Sequence, residues 1–234
     1  MKFFINRKFK ELTQFIHSLP DTFANQGEVI RNIRNEIRLI KTGDYSLVVK
    51  SYKTPNLFNR IIYGTFRKSK AERAYKYAEL FLSKGIGSPT PVAYITERRN
   101  TLFTRSFYIS LLSECPYTYY DLFEKEFDHK NDILKAIAET TAQMHKNGFL
   151  HNDYTGGNIL FDDKNGEVSV EIIDLNRMSF KKIDESLGCK NFGKLRATEQ
   201  MLEIMAEAYA KARGYEKNKC INLMKEYNKS WKNE

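Results

Sequence analysis

The strongest constraint in this 234-residue sequence is the run His151-Asn152-Asp153-Tyr154-Thr155-Gly156-Gly157-Asn158, followed sixteen residues later by Asp174. Two β-type stretches, about 158–161 and 168–173, lie between Asn158 and Asp174. They flank Asp162-Asp163-Lys164-Asn165-Gly166, a good hairpin turn. A hairpin there folds Asn158 back beside Asp174, so the fold must supply a loop, a strand, a turn and a returning strand in that order. The residue types suit phosphoryl transfer. A carboxylate at position 153 can orient an acceptor hydroxyl and take its proton. The amide oxygen of Asn158 and the carboxylate of Asp174 are hard ligands for Mg²⁺, and two suffice because that ion keeps waters and draws its other ligands from phosphates. Each residue also has a plain alternative: Asp and Asn are common in turns, and His151 can be a buried structural histidine.

The segments around this run change character along the chain. Residues 9–19 have helical apolar spacing (Phe9, Leu12, Phe15, Ile16, Leu19), and Pro20 is expected to end that helix. Residues 28–52 read as strands turning at Thr42-Gly43-Asp44. Residues 69–83 read as a helix with Ser69 as cap, Ala71, Tyr75, Ala78 and Leu82 as its apolar stripe, and Gly85 just past its end. Strands at about 92–97 and 102–112 follow, joined by Arg98-Arg99-Asn100. From Asp121 onward the pattern is mainly helical, with a clear helix at 131–147 (Ile133, Ile137, Thr141 and Met144 on one side) and more helix over 195–230. Strands with one helix, then helices with a small hairpin, imply an α+β chain of two lobes. An N-terminal lobe over 1–113 holds a leading helix, an antiparallel sheet and one further helix, and a mainly helical C-terminal lobe covers 114–234.

Composition limits the alternatives. Three widely spaced cysteines, Cys115, Cys189 and Cys220, support neither a disulfide framework nor a zinc site, and a reducing, cytoplasmic setting is the simplest reading. No run of about 18 apolar residues suggests a membrane span. The net charge of +9 is unevenly placed: residues 1–76 carry 16 Lys and Arg against 6 Asp and Glu, while 114–190 carry 9 against 15. A basic face suits anionic headgroups, nucleic acid or phosphorylated substrates, and it equally serves solubility.

His151-x-Asp153-x4-Asn158 with Ile173-Asp174-Leu175-Asn176-Arg177 resembles the catalytic and metal-binding loops of the protein-kinase-like superfamily. More closely, it resembles the bacterial lipopolysaccharide core kinases, the Kdo/heptose kinase family. The resemblance is specific over 148–178 and looser from about Gly27 to residue 210. It implies a two-lobed protein-kinase-like fold and an ATP- and Mg²⁺-dependent kinase acting on a sugar hydroxyl, Kdo or heptose of a lipopolysaccharide core. Asp153 then matches the catalytic base, Asn158 and Asp174 the metal ligands, and His151 a structural histidine. The same pattern asks for a strand lysine, which Lys50 supplies. Val48, on the same face by period-two alternation, would touch the adenine. A helix glutamate should pair with Lys50; Glu72 is the first candidate and Glu79 the alternative.

The sequence departs from protein kinases in three ways. No Gly-x-Gly-x-x-Gly precedes Lys50; Gly27-Glu28-Val29 stands there instead, with Arg31, Arg34 and Arg38 as nearby cations. Leu175-Asn176 follows Asp174 where Phe-Gly is usual, and no Ala-Pro-Glu motif comes after it. Little room remains for a platform that holds a protein substrate, which favours a saccharide or glycolipid acceptor. Arg177 is a candidate contact for an anionic sugar or a phosphate, and equally for a salt bridge to an acidic residue of the chain. The expected partners are ATP and that acceptor, with peripheral contact at an anionic membrane surface and no nucleic acid; the lysine-rich C-terminal stretch reads first as a helix packed on the C-terminal lobe, with a membrane-surface role as the alternative. The alternatives are a kinase for an aminoglycoside- or choline-like small molecule, a protein kinase, or a non-catalytic pseudokinase scaffold. The location implied is the cytoplasmic face of the inner membrane.

Overall fold

The computed structural model describes residues 1–33, 35–52, 68–99 and 102–232. They form two compact units: Met1–Leu80 with Pro89–Ser113, and Phe81–Ser88 with Glu114–Glu234.

The first unit is built on six antiparallel strands. They are β1 (Lys2–Ile5), β2 (Glu28–Asn32), β3 (Asn35–Thr42), β4 (Tyr45–Tyr52), β5 (Pro91–Arg99) and β6 (Leu102–Leu111), in the spatial order β1-β5-β6-β4-β3-β2. Strand β4 shows why they assemble. Its period-two pattern buries Leu47 and Val49 on one face, and across the ladder these meet Leu111 and Ile109 of β6. Helix α1 (Thr13–Thr22) covers that face, adding Ile16 and Leu19 to a cluster with Ile40, Ile95, Phe107 and Ile109. Complete burial of a side chain of this size stabilises by roughly 1.5–3 kcal/mol. Pro20 does not end α1 as expected; it sits inside the helix, which continues to Thr22. Proline's fixed φ is compatible with a helix, and the one hydrogen bond its missing N–H costs is offset by burial of the proline and of Leu19. Arg105 ties this end of α1 to the sheet, pairing with Glu97 and donating to the Pro20 carbonyl at 2.6 Å.

Helix α2 (Lys70–Ser83) begins as expected: the Ser69 hydroxyl accepts from the Glu72 N–H at 3.0 Å. Ala71 and Tyr75 join Tyr52 and Tyr94 in a second, aromatic cluster. The stripe differs at its end, because Phe81 is buried while Leu82 is exposed. The helix closes with the Gly85 N–H on Leu82 O and the Ile86 N–H on Phe81 O, with Gly85 at a left-handed φ of 68°. Strand β1 was not expected from the sequence; its four residues are too few for a periodic signal.

The second unit is mainly helical. Helices α3 (Asp121–Glu124), α4 (Lys130–Lys146), α5 (Glu185–Phe192), α6 (Glu199–Arg213) and α7 (Lys217–Lys232) accompany two small sheets. Strands β9 (Ile159–Lys164) and β10 (Glu167–Ile172) form the expected hairpin, with β7 (Tyr117–Thr118) on the outer side of β9. The turn itself is only Asn165-Gly166, both at positive φ, so β9 runs further toward the turn than the sequence suggested. Strands β8 (Phe149–His151) and β11 (Met178–Phe180) pair separately. Cys220, Met224 and Asn228 of α7 are buried, so this side of the helix packs on the unit. No helix among the described residues is long and apolar enough to cross a membrane.

Candidate active site

The β8–β11 pair sets the site. Met178 lies opposite His151, so the loop leaving β8 and the loop entering β11 run side by side. Asn152 holds them together: its amide donates to Arg177 O at 2.7 Å and to Ser179 Oγ at 2.8 Å. His151 is fully buried between the loops. Its Nδ1 accepts the Asp153 N–H at 3.1 Å, so the ring proton is on Nε2, which donates to Ile173 O at 3.1 Å. Burial lowers the affinity of this ring for a second proton. One neutral imidazole thus fixes the backbone on both sides of the site, from Asp153 to the residue before Asp174.

Asp153, Asn158 and Asp174 come together on these loops, each half-buried. The Asn158 side-chain N–H₂ donates to Asp153 O at 2.8 Å, and the Asn158 carbonyl accepts the Ile173 N–H at 3.0 Å. With its nitrogen so engaged, the amide turns its oxygen away from the loop. Asp174 adopts a left-handed backbone, φ 59°, which Asp tolerates better than most residues, and its carboxylate accepts from the Asn176 amide. An amide oxygen and a carboxylate, positioned by one strand ladder, are the oxygen donors that Mg²⁺ takes, so the residues fit that ion. Arg177 is exposed, and its Nη1 donates to Asp153 Oδ2 at 3.2 Å.

Behind the loops runs a chain of hydrogen bonds that sequence reasoning missed. The Tyr209 hydroxyl contacts His145 Nδ1 at 2.9 Å, and His145 Nε2 lies 3.1 Å from Asn191 Oδ1. The Asn191 amide in turn donates to His151 O at 3.0 Å. Because Asn191 Oδ1 can only accept, His145 carries its proton on Nε2 and accepts from Tyr209. Burial lowers the His145 pKa to about 4. One signal was available, since His145 stands four residues after Thr141 and so extends the inward stripe of α4. Thr141 itself takes a hydrogen bond from the buried Tyr154 hydroxyl at 2.5 Å while donating to Ile137 O.

The other site candidates belong to the first unit. Val48 and Lys50 lie on the face of β4 opposite Leu47 and Val49, as alternation requires, with Ile37 and Tyr108 as the cross-strand neighbours of Lys50. Lys50 Nζ sits 5.4 Å from the centre of the Tyr52 ring. Glu72, in the first turn of α2, pairs with Lys76 Nζ at 3.1 Å, and Glu79 accepts from the Tyr75 hydroxyl at 2.8 Å. Of the expected cations, Arg31 is exposed on β2 and Arg34 lies outside the described residues. Arg38 is tied to Glu36 at 2.6 Å and to Gln26 O at 2.9 Å, which gives it a local structural task. Gly27 is pressed against β3: a Cβ there would lie 2.2 Å from Leu39 O.

An antiparallel-sheet unit with a lysine on an inner strand, joined to a helical unit with these paired loops, defines a kinase-like fold. The chain belongs to the lipopolysaccharide kinase (Kdo/WaaP) family, whose model matches residues 21–213. It is therefore a member of a family of phosphotransferases. Its fold is similar to that of WaaP solved in complex with acyl carrier protein, with a TM-score of 0.68 over 98% of both chains at 16% identity. A crystal structure of WbdD gives 0.50 over 87% of this chain and 45% of that one, at 13% identity. Two curated relatives match shorter stretches. A probable bifunctional tRNA threonylcarbamoyladenosine biosynthesis protein of Methanocaldococcus jannaschii is 26% identical over 142 residues, 61% of this chain and 23% of that protein. The eIF-2-alpha kinase GCN2 of Arabidopsis thaliana is 30% identical over 95 residues, 39% of this chain and 7% of that protein. The chain thus spans less than a quarter of either curated relative.

Proposed function

We propose that this chain transfers the γ-phosphoryl group of ATP to a saccharide hydroxyl, Kdo or heptose of a lipopolysaccharide core. The observation that carries the reading is the His151 bridge, which holds the Asp153 and Asp174 loops in one place, together with membership of the lipopolysaccharide kinase family. Asp153 orients the acceptor hydroxyl and accepts its proton as the oxygen attacks phosphorus. Asn158 and Asp174 hold Mg²⁺, which when bound with ATP neutralises charge on the phosphates. Lys50 holds phosphate oxygens with Glu72 orienting it, and Val48 lies against the adenine. Arg177 uses one nitrogen on Asp153 and, being exposed, has donors left for an anionic group on the acceptor. That cation beside the base argues against an aminoglycoside- or choline-like acceptor, whose positive charge it would repel. The lipid-borne acceptor places the reaction at the cytoplasmic face of a membrane, with the basic residues of 1–76 available for anionic headgroups.

The test is transfer of labelled phosphate from ATP to deacylated core oligosaccharide, a protein substrate and small cationic alcohols. The wild type should label the oligosaccharide. Asp153→Ala should lose at least about 100-fold in turnover, the usual worth of a general base, yet still bind Mg-ATP. Asp174→Ala should lose both. Full turnover by Asp153→Ala, or labelling of protein alone, would overturn the assignment.

A further inference from the structure

The diglycine inside the catalytic loop has a physical reason that the phosphoryl-transfer reading does not use. A Cβ on Gly156 would lie 2.8 Å from Tyr119 Cδ1 and 2.8 Å from Tyr120 Cε1. A Cβ on Gly157 would lie 3.5 Å from Tyr120 Cε2, on the opposite edge of the same ring. The Tyr120 ring therefore straddles both glycines with one face on the loop, between Asp153 and Asn158. Residue 120 is nonetheless 40% exposed, so much of the side chain reaches solvent.

The placement is built, not incidental. Asp121 accepts from the Thr118 N–H at 2.7 Å and from its hydroxyl at 2.9 Å, closing the turn that carries the tyrosines. The Tyr119 N–H donates to Ile159 O at 3.0 Å, anchoring that turn to the residue after Asn158. Tyr119 is fully buried, with its ring edge-on to Phe123 at 5.7 Å. An exposed aromatic is ordinary on a surface; what singles out Tyr120 is that its ring rests on the glycines of the loop between Asp153 and Asn158.

We infer that the outward face of Tyr120 is a stacking platform for a sugar ring of the acceptor. An aromatic face carries the negative side of a quadrupole. The axial C–H groups on one side of a pyranose form a flat apolar face with slight positive polarity, which fits it. Stacking there fixes the plane of the sugar while leaving the rim hydroxyls free, so one can be presented to Asp153. The platform and Arg177 are complementary: the ring selects a saccharide, and the guanidinium selects a charged one. The inference rests on the proposed function above, and it assigns the acceptor side of that site.

The experiment measures KM for deacylated core oligosaccharide and for ATP separately, and oligosaccharide binding by calorimetry without nucleotide. Tyr120→Leu keeps apolar bulk without the ring, and Tyr120→Phe keeps the ring. Tyr120→Leu should raise the oligosaccharide KM and Kd by about tenfold, the usual worth of one aromatic contact, with the KM for ATP unchanged. Tyr120→Phe should restore values close to the wild type. An unchanged oligosaccharide KM in Tyr120→Leu, or a rise confined to ATP, overturns the platform while leaving the kinase reading standing. A wild type that labels no saccharide removes both.

Discussion

Two buried histidines carry the argument at the scale of single residues. His145 and His151 are each singly protonated, and the direction of every bond from Tyr209 through Asn191 to Ile173 depends on it. A second proton on His145 would set two donors against the Tyr209 hydroxyl, which then has to reverse. Its folded pKa is about 4, against 6.5 when unfolded. Below pH 6.5 the unfolded chain takes up a proton that the folded chain refuses. Stability from this residue is thus complete above pH 6.5 and falls progressively as pH drops toward 4. The urea midpoint should decline through that window, and more steeply in the wild type than in His145→Gln. Equal slopes in the two proteins would remove the histidine from the account. The approach of Asn158 to Asp174 was legible in the sequence because the β9–β10 hairpin brings them together, whereas Asp153 is held by the β8–β11 pair and the Asn158 amide. Asn191 and Tyr209 were not, being 46 and 64 residues from His145 on helices whose relative rotation no local pattern encodes.

Among the elements, helix α2 was read most fully, because its start and stop are local chemistry. Ser69 caps the Glu72 N–H and also meets the Thr96 hydroxyl at 3.0 Å in a buried setting. Ser69→Ala should cost about 1 kcal/mol for the cap, and up to about 2 more if the Thr96 hydroxyl is left without a partner. Urea unfolding measures it; a change below about 0.5 kcal/mol, the level of an ordinary surface substitution, would show the cap to be idle. Leu82 was placed inward for want of knowing where the stripe drifts after three turns, and Phe81 takes the buried position instead. Helix α1 shows the opposite limit. A proline near its end looked like a stop, yet Leu19 and Pro20 are both buried, and packing outweighed the lost hydrogen bond. The β8–β11 pair escaped notice because three-residue strands carry no periodicity of their own.

For the whole molecule, strand-rich sequence before helix-rich sequence was enough to indicate the α+β class. The order of the strands within the sheet was not, since pairing across 90 residues leaves no local trace. Mg-ATP bound as proposed should raise the stability of the folded chain. At a hundred times Kd the gain is about 2.7 kcal/mol, or roughly 5–10 °C in Tm for a chain of this size. Asp174→Ala should abolish most of that shift. An unchanged melting curve with saturating Mg-ATP, in a wild type that is otherwise folded, would argue for a protein that has lost nucleotide binding.

The pairing of β1 with β5 sets Lys2 opposite Thr96. Strand β1 therefore stays without its ladder partner until residues 91–99 have been made. Closing so long a loop is slow, and an unpaired edge invites association meanwhile. The practical consequence concerns how the protein is made. A fusion partner or affinity tag joined just before β1 hangs from a seam that closes only after residues 91–99 are made, whereas one joined after α7 leaves that seam alone. Comparing soluble yield for the two arrangements would expose the difference.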